Sequence, residues 1–234
     1  MCTVKRGHVT AIVLAAGTGR RMQSDVPKQY MDLDGKPVLY YSLKSFEKSS
    51  VDDIILVTSQ NDISYCRENI VEQYGLCKVK CIVAGGTERY WSVRNGLQAA
   101  TDAKYVLIHD GARPCLSIEV IERSIIEVIK CGACTAAVPA KDTIKLVDDQ
   151  LYGVSTPPRN RLWQIQTPQS FVYNDIIEAY SRMEKEESTD ITDDTMIMER
   201  YMNVKTKLIQ GDYCNIKITT PEDLLVAKVL LKRV

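Results

Sequence analysis

Short apolar runs alternate along this chain with segments of helical periodicity, and this alternation limits the possible folds more than any other feature. Residues 54–57 read Ile-Ile-Leu-Val, a continuous run typical of a strand buried on both faces. Similar runs over 9–14, 79–83, 105–108 and 135–138 predict four more strands. The intervening segments place apolar residues at helical spacing. The pattern predicts an α/β fold, with a mostly parallel sheet between two layers of helices.

Residues 139–163 interrupt this alternation. Two short runs, 143–147 and 151–154, flank Asp148-Asp149-Gln150, which predicts a β-hairpin that leaves the main body. An isolated hairpin is marginally stable in water, so we expect it to pack on another surface, such as a second subunit. The chain has no repeats and no linker-like stretch. We therefore predict a single domain over 1–234, with 139–163 as a β-arm for dimerisation.

The last third of the chain predicts further helices and strands. One helix is expected over 173–186, and a second is opened by Thr192. Strands are expected over 205–209 and 215–218, which places Lys217 on a late strand. A closing helix has Thr220 as its N-cap, Pro221 at its first position and Asp223 at the acidic position of a capping box.

Composition excludes several classes of protein. The 234 residues include 30 Lys+Arg and 30 Asp+Glu, so the formal net charge is zero. A general nucleic-acid binder carries an excess of basic residues instead. No apolar run approaches the roughly 18 residues of a membrane span, and the first ten residues lack a signal-peptide core. We therefore expect a cytoplasmic protein that binds neither nucleic acid nor membrane.

Eight cysteines raise the question of disulfides or a metal. Cys131 and Cys134 have redox or half-zinc spacing, and Cys77 and Cys81 offer the one candidate for a second pair. No histidine lies near either pair in the sequence. Structural thiols are the expected role, and redox activity of a pair remains an alternative.

A glycine-containing loop with three cations follows the first predicted strand. Its residues are Ala15, Ala16, Gly17, Gly19, Arg20, Arg21 and, a few positions on, Lys28. Glycines let backbone N–H groups approach a phosphate chain, and guanidinium and ammonium groups bind its oxygens. The loop lacks the third glycine of a dinucleotide fingerprint, where Met22 stands, and the Gly-Lys-Ser/Thr of a P-loop. A polyphosphate site is one interpretation, and a solvated basic turn is the other.

Three further segments are candidates on the same grounds. Asp110 and Arg113 follow the strand at 105–108, where Asp110 could hold Mg²⁺ on a phosphate or simply cap a turn. Gly85-Gly86 with Ser92 opens a helix, where amides and a hydroxyl could contact a base or ribose, or merely form a tight turn. Lys217, taken alone, is equally consistent with an exposed charge on an edge strand.

Ordered motifs extend this local evidence over the chain from Thr10 onward. They are Ala-Ala-Gly-x-Gly-Arg-Arg-Met…Pro-Lys-Gln over 15–29, Gly-Gly-x-x-Arg-x-x-Ser-Val over 85–93, His-Asp-x-Ala-Arg-Pro over 109–114, Asp-Thr-Ile-Lys over 142–145, Arg-Asn-x-Leu-Trp over 159–163, Gln-Thr-Pro-Gln over 166–169, Thr-Asp-Asp over 192–194 and Asn-Ile-Lys-Ile-Thr over 215–219. Together they resemble the signature of the 2-C-methyl-D-erythritol 4-phosphate cytidylyltransferases. The resemblance implies a three-layer, Rossmann-like nucleotidyltransferase sheet with a protruding β-arm. It also implies CTP as substrate, Mg²⁺ as cofactor and a homodimer with shared active sites.

The resemblance assigns a role to each matching residue. Those that resemble the catalytic cations on the triphosphate are Arg21, Lys28 and Lys217. Those that resemble CTP contacts are Ala15, Ala16, Gly17, Gly19, Arg20, Gly86 and Ser92. Those that resemble contacts to the acceptor, a sugar-alcohol phosphate, are Asp110, Arg113, Thr143, Arg159 and Thr192, with Asp110 also near the metal and Thr143 and Arg159 lent by the neighbouring subunit.

The implied reaction transfers CMP from CTP to 2-C-methyl-D-erythritol 4-phosphate and releases pyrophosphate, a step of isoprenoid precursor synthesis. A ribitol 5-phosphate cytidylyltransferase shares the scaffold and the chemistry, so the acceptor remains open between the two. A nucleotide-binding sensor without turnover is an alternative of another class. The presence of Arg21, Lys28 and Lys217 favours an enzyme. A dehydrogenase is disfavoured by Met22 and by the absence of an acidic residue about 20 positions further on.

Overall fold

A computed structural model describes residues 6–17, 19–22, 24, 26–186 and 190–233 of the chain. Its strands are β1 (Val9–Ala15), β2 (Asp32–Leu33), β3 (Lys36–Pro37), β4 (Asp53–Thr58), β5 (Val79–Ala84), β6 (Tyr105–Asp110), β7 (Ala133–Pro139), β8 (Leu146–Val147), β9 (Gly153–Ser155), β10 (Trp163–Val172) and β11 (Lys207–Gln210). Its α-helices are α1 (Val38–Lys48), α2 (Ile63–Cys66), α3 (Arg89–Ala99), α4 (Ile118–Cys131), α5 (Tyr173–Met183), α6 (Asp194–Met202) and α7 (Pro221–Leu230). Among the described residues, no helix has the length and hydropathy to cross a membrane.

Seven strands form the central sheet, in the order β11–β7–β10–β6–β1–β4–β5. β1 pairs in parallel with β4 and β6, and the pairs β4–β5 and β7–β11 are parallel as well. β10 runs antiparallel to both of its neighbours, β6 and β7. The predicted mostly parallel sheet is therefore confirmed.

Two apolar cores cover opposite faces of this sheet. Successive residues of β1 alternate between them, because neighbouring side chains of a strand point to opposite faces. Val13 packs in one core with Leu43 of α1 and Ile121 of α4. Ile12 packs in the other core, which also receives the buried side chains of α3, α5 and α6. The predicted layers of helices on both faces are confirmed.

The hairpin predicted between β7 and β10 is present as the antiparallel pair β8–β9. It lies outside the central sheet, and its apolar side chains are exposed: Leu151 is 81% exposed, Tyr152 70% and Val154 68%. Burying exposed apolar side chains of this size against a second surface would be favourable, because it removes them from water. That 139–163 serves as a dimerisation arm remains a prediction.

The strand β10 was not predicted, and its composition explains why. It contains Pro168 and several polar side chains, whereas a central strand is usually apolar and free of proline. Its register against β7 shifts between Ile165 and Gln169. Two of the buried polar side chains bind distant backbone groups: Thr167 accepts the N–H of Asp110, and Gln169 that of Asp194. Tertiary hydrogen bonds therefore stabilise a strand that local pattern disfavours.

Three other predicted elements differ from the structure. The prediction of a strand over 215–218 is wrong, because this segment is irregular. Its Ile218 N–H donates to the Ala112 carbonyl at 2.9 Å. Helix α6 begins at Asp194 rather than at Thr192, because the side chain of Asp193 caps the N–H of Met196. The helix that the alternation predicts between the strands at 54–57 and 79–83 is short, since α2 continues into a π-helical turn over Arg67–Glu72. The capping box of α7 is present as predicted.

The described cysteines are free thiols. Cys131 is exposed at the end of α4, whereas Cys134 is fully buried in β7. Burial raises the pKa of the Cys134 thiol, which disfavours the reactive thiolate. The environment of this thiol suits the structural role expected from the sequence.

His109 gives the fold a sensitivity to acid. Its side chain is fully buried near the end of β6, and this burial lowers its pKa to about 3. An exposed histidine titrates near 6.5, so the unfolded chain takes up the proton first as the pH falls. The stability that neutral His109 contributes is therefore fully present above pH 6.5 and is lost as the pH falls below this value. From pH 7.5 to pH 5, we expect His109 to lower the free energy of unfolding by about 2 kcal/mol.

Urea denaturation at both pH values measures this loss, and NMR titration of the folded protein assigns it. The chain has two histidines, so a His8→Gln variant leaves only the resonances of His109. These resonances should not titrate between pH 5 and pH 8. A titration midpoint near 6.5 would contradict the prediction.

Candidate active site

A cleft of about 520 Å³ opens where β1 and β6 end. Ligands of open α/β sheets bind at the carboxyl ends of the strands, and this cleft occupies such a position. Its lining comprises Leu14, Ala15, Ala16, Gly17, Lys28, Gln29, Gly86, Thr87, Glu88, Arg89, Ser92, Asp110, Ala112 and Lys217. Five segments far apart in the sequence thus contribute to one concave surface.

One wall of the cleft depends on close approach between two loops. A Cβ atom on Gly85 would lie 2.4 Å from the Cβ of Ala16, and one on Gly86 would lie 2.3 Å from the Cβ of Trp91. Only glycine fits at these two positions without displacing the neighbours. The Ser92 hydroxyl accepts the N–H of Gly86 at 3.0 Å and donates to the carbonyl of Glu88 at 3.2 Å. These two hydrogen bonds tie Gly86 and Glu88 to the first turn of α3, and the close approach of Gly85 to Ala16 sets this segment beside the loop that follows β1.

Asp110 lies at the end of β6 among three cations. Its Oδ2 is 2.8 Å from Nζ of Lys217 and 3.8 Å from Nε of Arg113, and its Oδ1 is 3.2 Å from Nε of Arg89. Burial alone would raise the pKa of this carboxyl, but the three cations hold it well below its usual range. Asp110 is therefore ionised at neutral pH and positions the cations around it.

Lys28 brings a further positive charge to the same place. Its Nζ donates to the carbonyl of Ile218 at 2.8 Å, next to Lys217 in the chain. Burial and, after it, the charge of Lys217 lower the pKa of Lys28, and the exposed Arg21 contributes to the same shift. Several positive charges held close together favour an anionic ligand between them.

Arg89 connects the cleft to a buried ion pair. Its guanidinium donates to both carboxylate oxygens of Asp194, at 3.0 and 2.8 Å, and the Asp194 side chain is fully buried. Asp194 also accepts from the hydroxyl of Tyr180 at 2.6 Å. The sequence motifs contained Arg89 and Asp194, but no role was predicted for either. Their pairing depends on α3 meeting α6, which local pattern does not report.

The structure brings eight of the predicted site residues into the lining of the cleft: Ala15, Ala16, Gly17, Lys28, Gly86, Ser92, Asp110 and Lys217. Arg113 is not among the lining residues, and its guanidinium donates to the Asn215 carbonyl at 2.8 Å. Gly19 has a positive φ of 64° and packs against the side chain of Lys28 instead of lining the cleft.

Three predicted acceptor contacts are not part of the cleft lining in this chain. Thr143 and Arg159 are exposed in the hairpin segment, and Arg159 donates to the Lys141 carbonyl at 3.2 Å. Thr192 is exposed just before α6. The side chain of Arg20 lies outside the described part of the structure, as does Thr18. The roles of all the predicted residues remain predictions.

The cleft offers few protein ligands for a metal ion. Two carboxylates line it, those of Glu88 and Asp110, and only the second is buried. Among the described residues, no group of three or more His, Cys, Asp or Glu side chains is placed to hold a metal. Mg²⁺ often takes one carboxylate and several phosphate oxygens. Asp110 therefore fits a magnesium ion that arrives with a phosphate ligand, rather than a metal held by the protein alone.

Comparisons with known proteins agree with this geometry. Residues 9–233 match the family model described as IspD, 2-C-methyl-D-erythritol 4-phosphate cytidylyltransferase. A curated protein of that enzyme name from Lachnospira eligens is 53% identical over 225 residues, which cover 95% of this chain and 99% of the relative. Another from Lachnoclostridium phytofermentans is 51% identical over 224 residues and covers 96% of each chain. The crystal structure of 4-diphosphocytidyl-2C-methyl-D-erythritol synthase from Anaerococcus prevotii matches with a TM-score of 0.86 at 35% identity, over 97% of both chains.

The ion pair between Arg89 and Asp194 predicts a large effect of neutralising Asp194. In an Asp194→Asn variant Arg89 keeps only the partial compensation of Asp110, so we expect a loss of about 3 kcal/mol in the free energy of unfolding. Urea denaturation at pH 7.5 measures it. Asp193→Asn is the matched control, because asparagine caps a helix as well as aspartate does and the loss should stay below about 1 kcal/mol. Equal losses in the two variants would refute the role given to the ion pair.

Proposed function

The chain belongs to the 2-C-methyl-D-erythritol 4-phosphate cytidylyltransferase family, and we propose that it transfers CMP from CTP to the phosphate of 2-C-methyl-D-erythritol 4-phosphate. Pyrophosphate is the second product, and the reaction supplies isoprenoid precursors. The observation that carries the proposal at the site is the convergence of Lys28, Lys217 and Asp110 on one cleft at the carboxyl ends of β1 and β6. This arrangement suits a nucleoside triphosphate and an acceptor phosphate side by side.

The proposed mechanism needs no covalent intermediate on the protein. A phosphate oxygen of the acceptor attacks the α-phosphorus of CTP in line, and the bond from this phosphorus to the oxygen shared with the β-phosphate breaks. Pyrophosphate leaves with the electron pair of that bond. Negative charge accumulates on the phosphate oxygens in the transition state, where Arg21, Lys28 and Lys217 would stabilise it. Holding both substrates in line lowers the entropic part of the barrier.

The nucleoside would bind along the wall formed by the loop after β1 and the start of α3. Ala15, Ala16 and Gly17 line this part of the cleft together with Gly86 and Ser92. Small side chains leave room for a planar base, and backbone N–H and carbonyl groups can distinguish its edges. Gly19 and Arg20 complete the loop proposed to enclose the triphosphate.

Mg²⁺ is the proposed cofactor, and Asp110 would hold it against the phosphates of the nucleotide. Once bound, the ion neutralises part of the triphosphate charge and polarises its oxygens. In its absence Asp110 positions Lys217, whose Nζ lies 2.8 Å from Oδ2. Lys217 lines the same cleft as Asp110 and would contact the phosphates there.

The acceptor is proposed to bind next to Asp110, with Arg113 and Thr192 contributing from this chain. Thr143 and Arg159 lie on the exposed hairpin segment and are proposed to reach the acceptor phosphate of a second subunit. The exposed apolar side chains of the hairpin support such an interface. A homodimer with two shared sites follows from this proposal. A cytoplasmic location stays a prediction that cell fractionation would test.

Release of pyrophosphate tests the proposed reaction. Purified protein with Mg²⁺ is supplied with each of the four nucleoside triphosphates in turn, and with either methylerythritol phosphate or ribitol phosphate. Release should require CTP and methylerythritol phosphate together. Release with CTP and ribitol phosphate, but not with CTP and methylerythritol phosphate, would assign ribitol phosphate as the acceptor. Binding of CTP without release of pyrophosphate would indicate a sensor. In the active pair, Lys28→Ala and Arg21→Ala should each lower kcat on the order of 10²-fold, whereas the surface variant Lys130→Ala should not.

Sharing of sites between subunits predicts complementation between two inactive variants. Lys28→Ala disables the site of its own chain, and Arg159→Ala disables the site of its partner. After subunit exchange at equal concentrations, half of the dimers are mixed and each has one intact site. We expect about a quarter of the unsubstituted turnover. Activity no higher than the mean of the two variants would mean that Arg159 serves its own chain.

A further inference from the structure

A second cleft, larger than the candidate active site, lies between α1, the start of α4, the loop after β11 and the terminal 3₁₀ turn over Leu231–Arg233. Its volume is about 710 Å³, compared with about 520 Å³ for the first cleft. The two linings share no residue. No role proposed above for this chain uses the second cleft.

The charge of this lining is strongly asymmetric. Six cationic side chains line the cleft: Lys36, Lys44, Lys48, Arg123, Lys232 and Arg233. Three acidic side chains also line it: Asp34, Glu119 and Asp212. The excess of positive charge is therefore larger than in the first cleft, where Lys28, Arg89 and Lys217 face Glu88 and Asp110. It occurs in a chain whose formal net charge is zero.

These cations have few competing partners. In the part of the chain that the structure describes, none of the six forms an ion pair with a carboxylate. Lys36 instead donates to the Tyr40 hydroxyl, and Arg123 donates to the Gln210 carbonyl. Asp34, one of the acids, pairs with Lys228 at 3.5 Å. The positive charges of the cleft are thus available to an anion from solution.

The start of α4 adds to this field. The helix is 14 residues long, has Ser117 as its N-cap and contributes its first residues to the lining of the cleft. The first N–H groups of a helix lack intrahelical acceptors and carry partial positive charge, although Glu119 offsets part of it here. Cations from α1, α4 and the terminal turn line the same cleft as these groups. We propose that the second cleft is a binding site for a small anion with two or more phosphate groups.

The shape of the cleft favours a small ligand over a nucleic acid. A nucleic-acid surface needs a basic stripe that follows many phosphates, whereas this charge is confined to one concavity. Its volume lies in the range of small-molecule sites. Six cations drawn from separate elements exceed what one phosphate can contact, so a diphosphate matches the lining better than a monophosphate.

Equilibrium dialysis with labelled pyrophosphate tests the proposal on the full chain, without divalent metal. The unsubstituted protein should bind about two pyrophosphate ions per chain, one in each cleft. The variant Lys44→Gln/Lys48→Gln/Arg123→Gln should lose one of them, with affinity at the second cleft at least about tenfold weaker. Lys28→Ala/Lys217→Ala should retain binding at the second cleft. Orthophosphate should bind there more weakly than pyrophosphate.

Two controls keep this test decisive. Lys130→Gln/Arg182→Gln/Lys207→Gln removes the same charge from exposed positions outside both clefts, and it should bind as the unsubstituted protein does. Circular dichroism checks that each variant folds. Equal binding by the first triple variant and the unsubstituted protein would overturn the proposal, as would an equal loss in the charge control. Tighter binding of a DNA oligonucleotide than of pyrophosphate at this cleft would also overturn it.

Discussion

A buried negative charge organises the centre of this molecule. Asp110 is 8% exposed at the end of β6, and a carboxylate with so little water is stable only beside positive partners. α3 supplies Arg89, the turn after β6 supplies Arg113, and the segment after β11 supplies Lys217. Arg113 lies only three residues from Asp110, whereas Arg89 and Lys217 come from distant parts of the sequence, and both form ion pairs with this one carboxylate. The candidate active site is the concave surface that results.

The strand β10 extends this organisation through the sheet. The Thr167 hydroxyl accepts the N–H of Asp110, and the Gln169 side chain accepts the N–H of Asp194. One polar strand thus holds the backbone beside both buried carboxylates. A strand of apolar residues would pack better in the sheet but would leave these N–H groups without these partners. The feature that made β10 unrecognisable from periodicity is the feature that supports the site.

The two clefts are neighbours along the same chain segments. Asp110 and Ala112 line the first cleft, and Pro114 and Leu116 line the second. The segment over 211–218 also contributes to both clefts, with Asp212 in the second and Lys217 in the first. The Arg113 guanidinium joins the two segments by donating to the Asn215 carbonyl. Ser42 of α1 donates to the carbonyls of Gly111 and Arg113, which fixes the segment between the clefts. An anion in the second cleft would therefore contact the same two segments that carry Asp110 and Lys217 in the first cleft.

The sequence by itself determined the parallel sheet, the helices on its two faces, the hairpin and most of the cleft lining. Apolar periodicity and glycine-rich turns are local properties, so the strands, helices and loops can be predicted from short segments. The ordered motifs that resemble the family indicated the residues of the cleft. Only the tertiary structure decided that Arg89 pairs with Asp194, that β10 enters the sheet and that 215–218 stays irregular and outside the sheet. It alone also placed six cations around a second cleft. These features arise from contacts between residues far apart in the sequence, and the periodicity of a short segment carries no information about its distant neighbours.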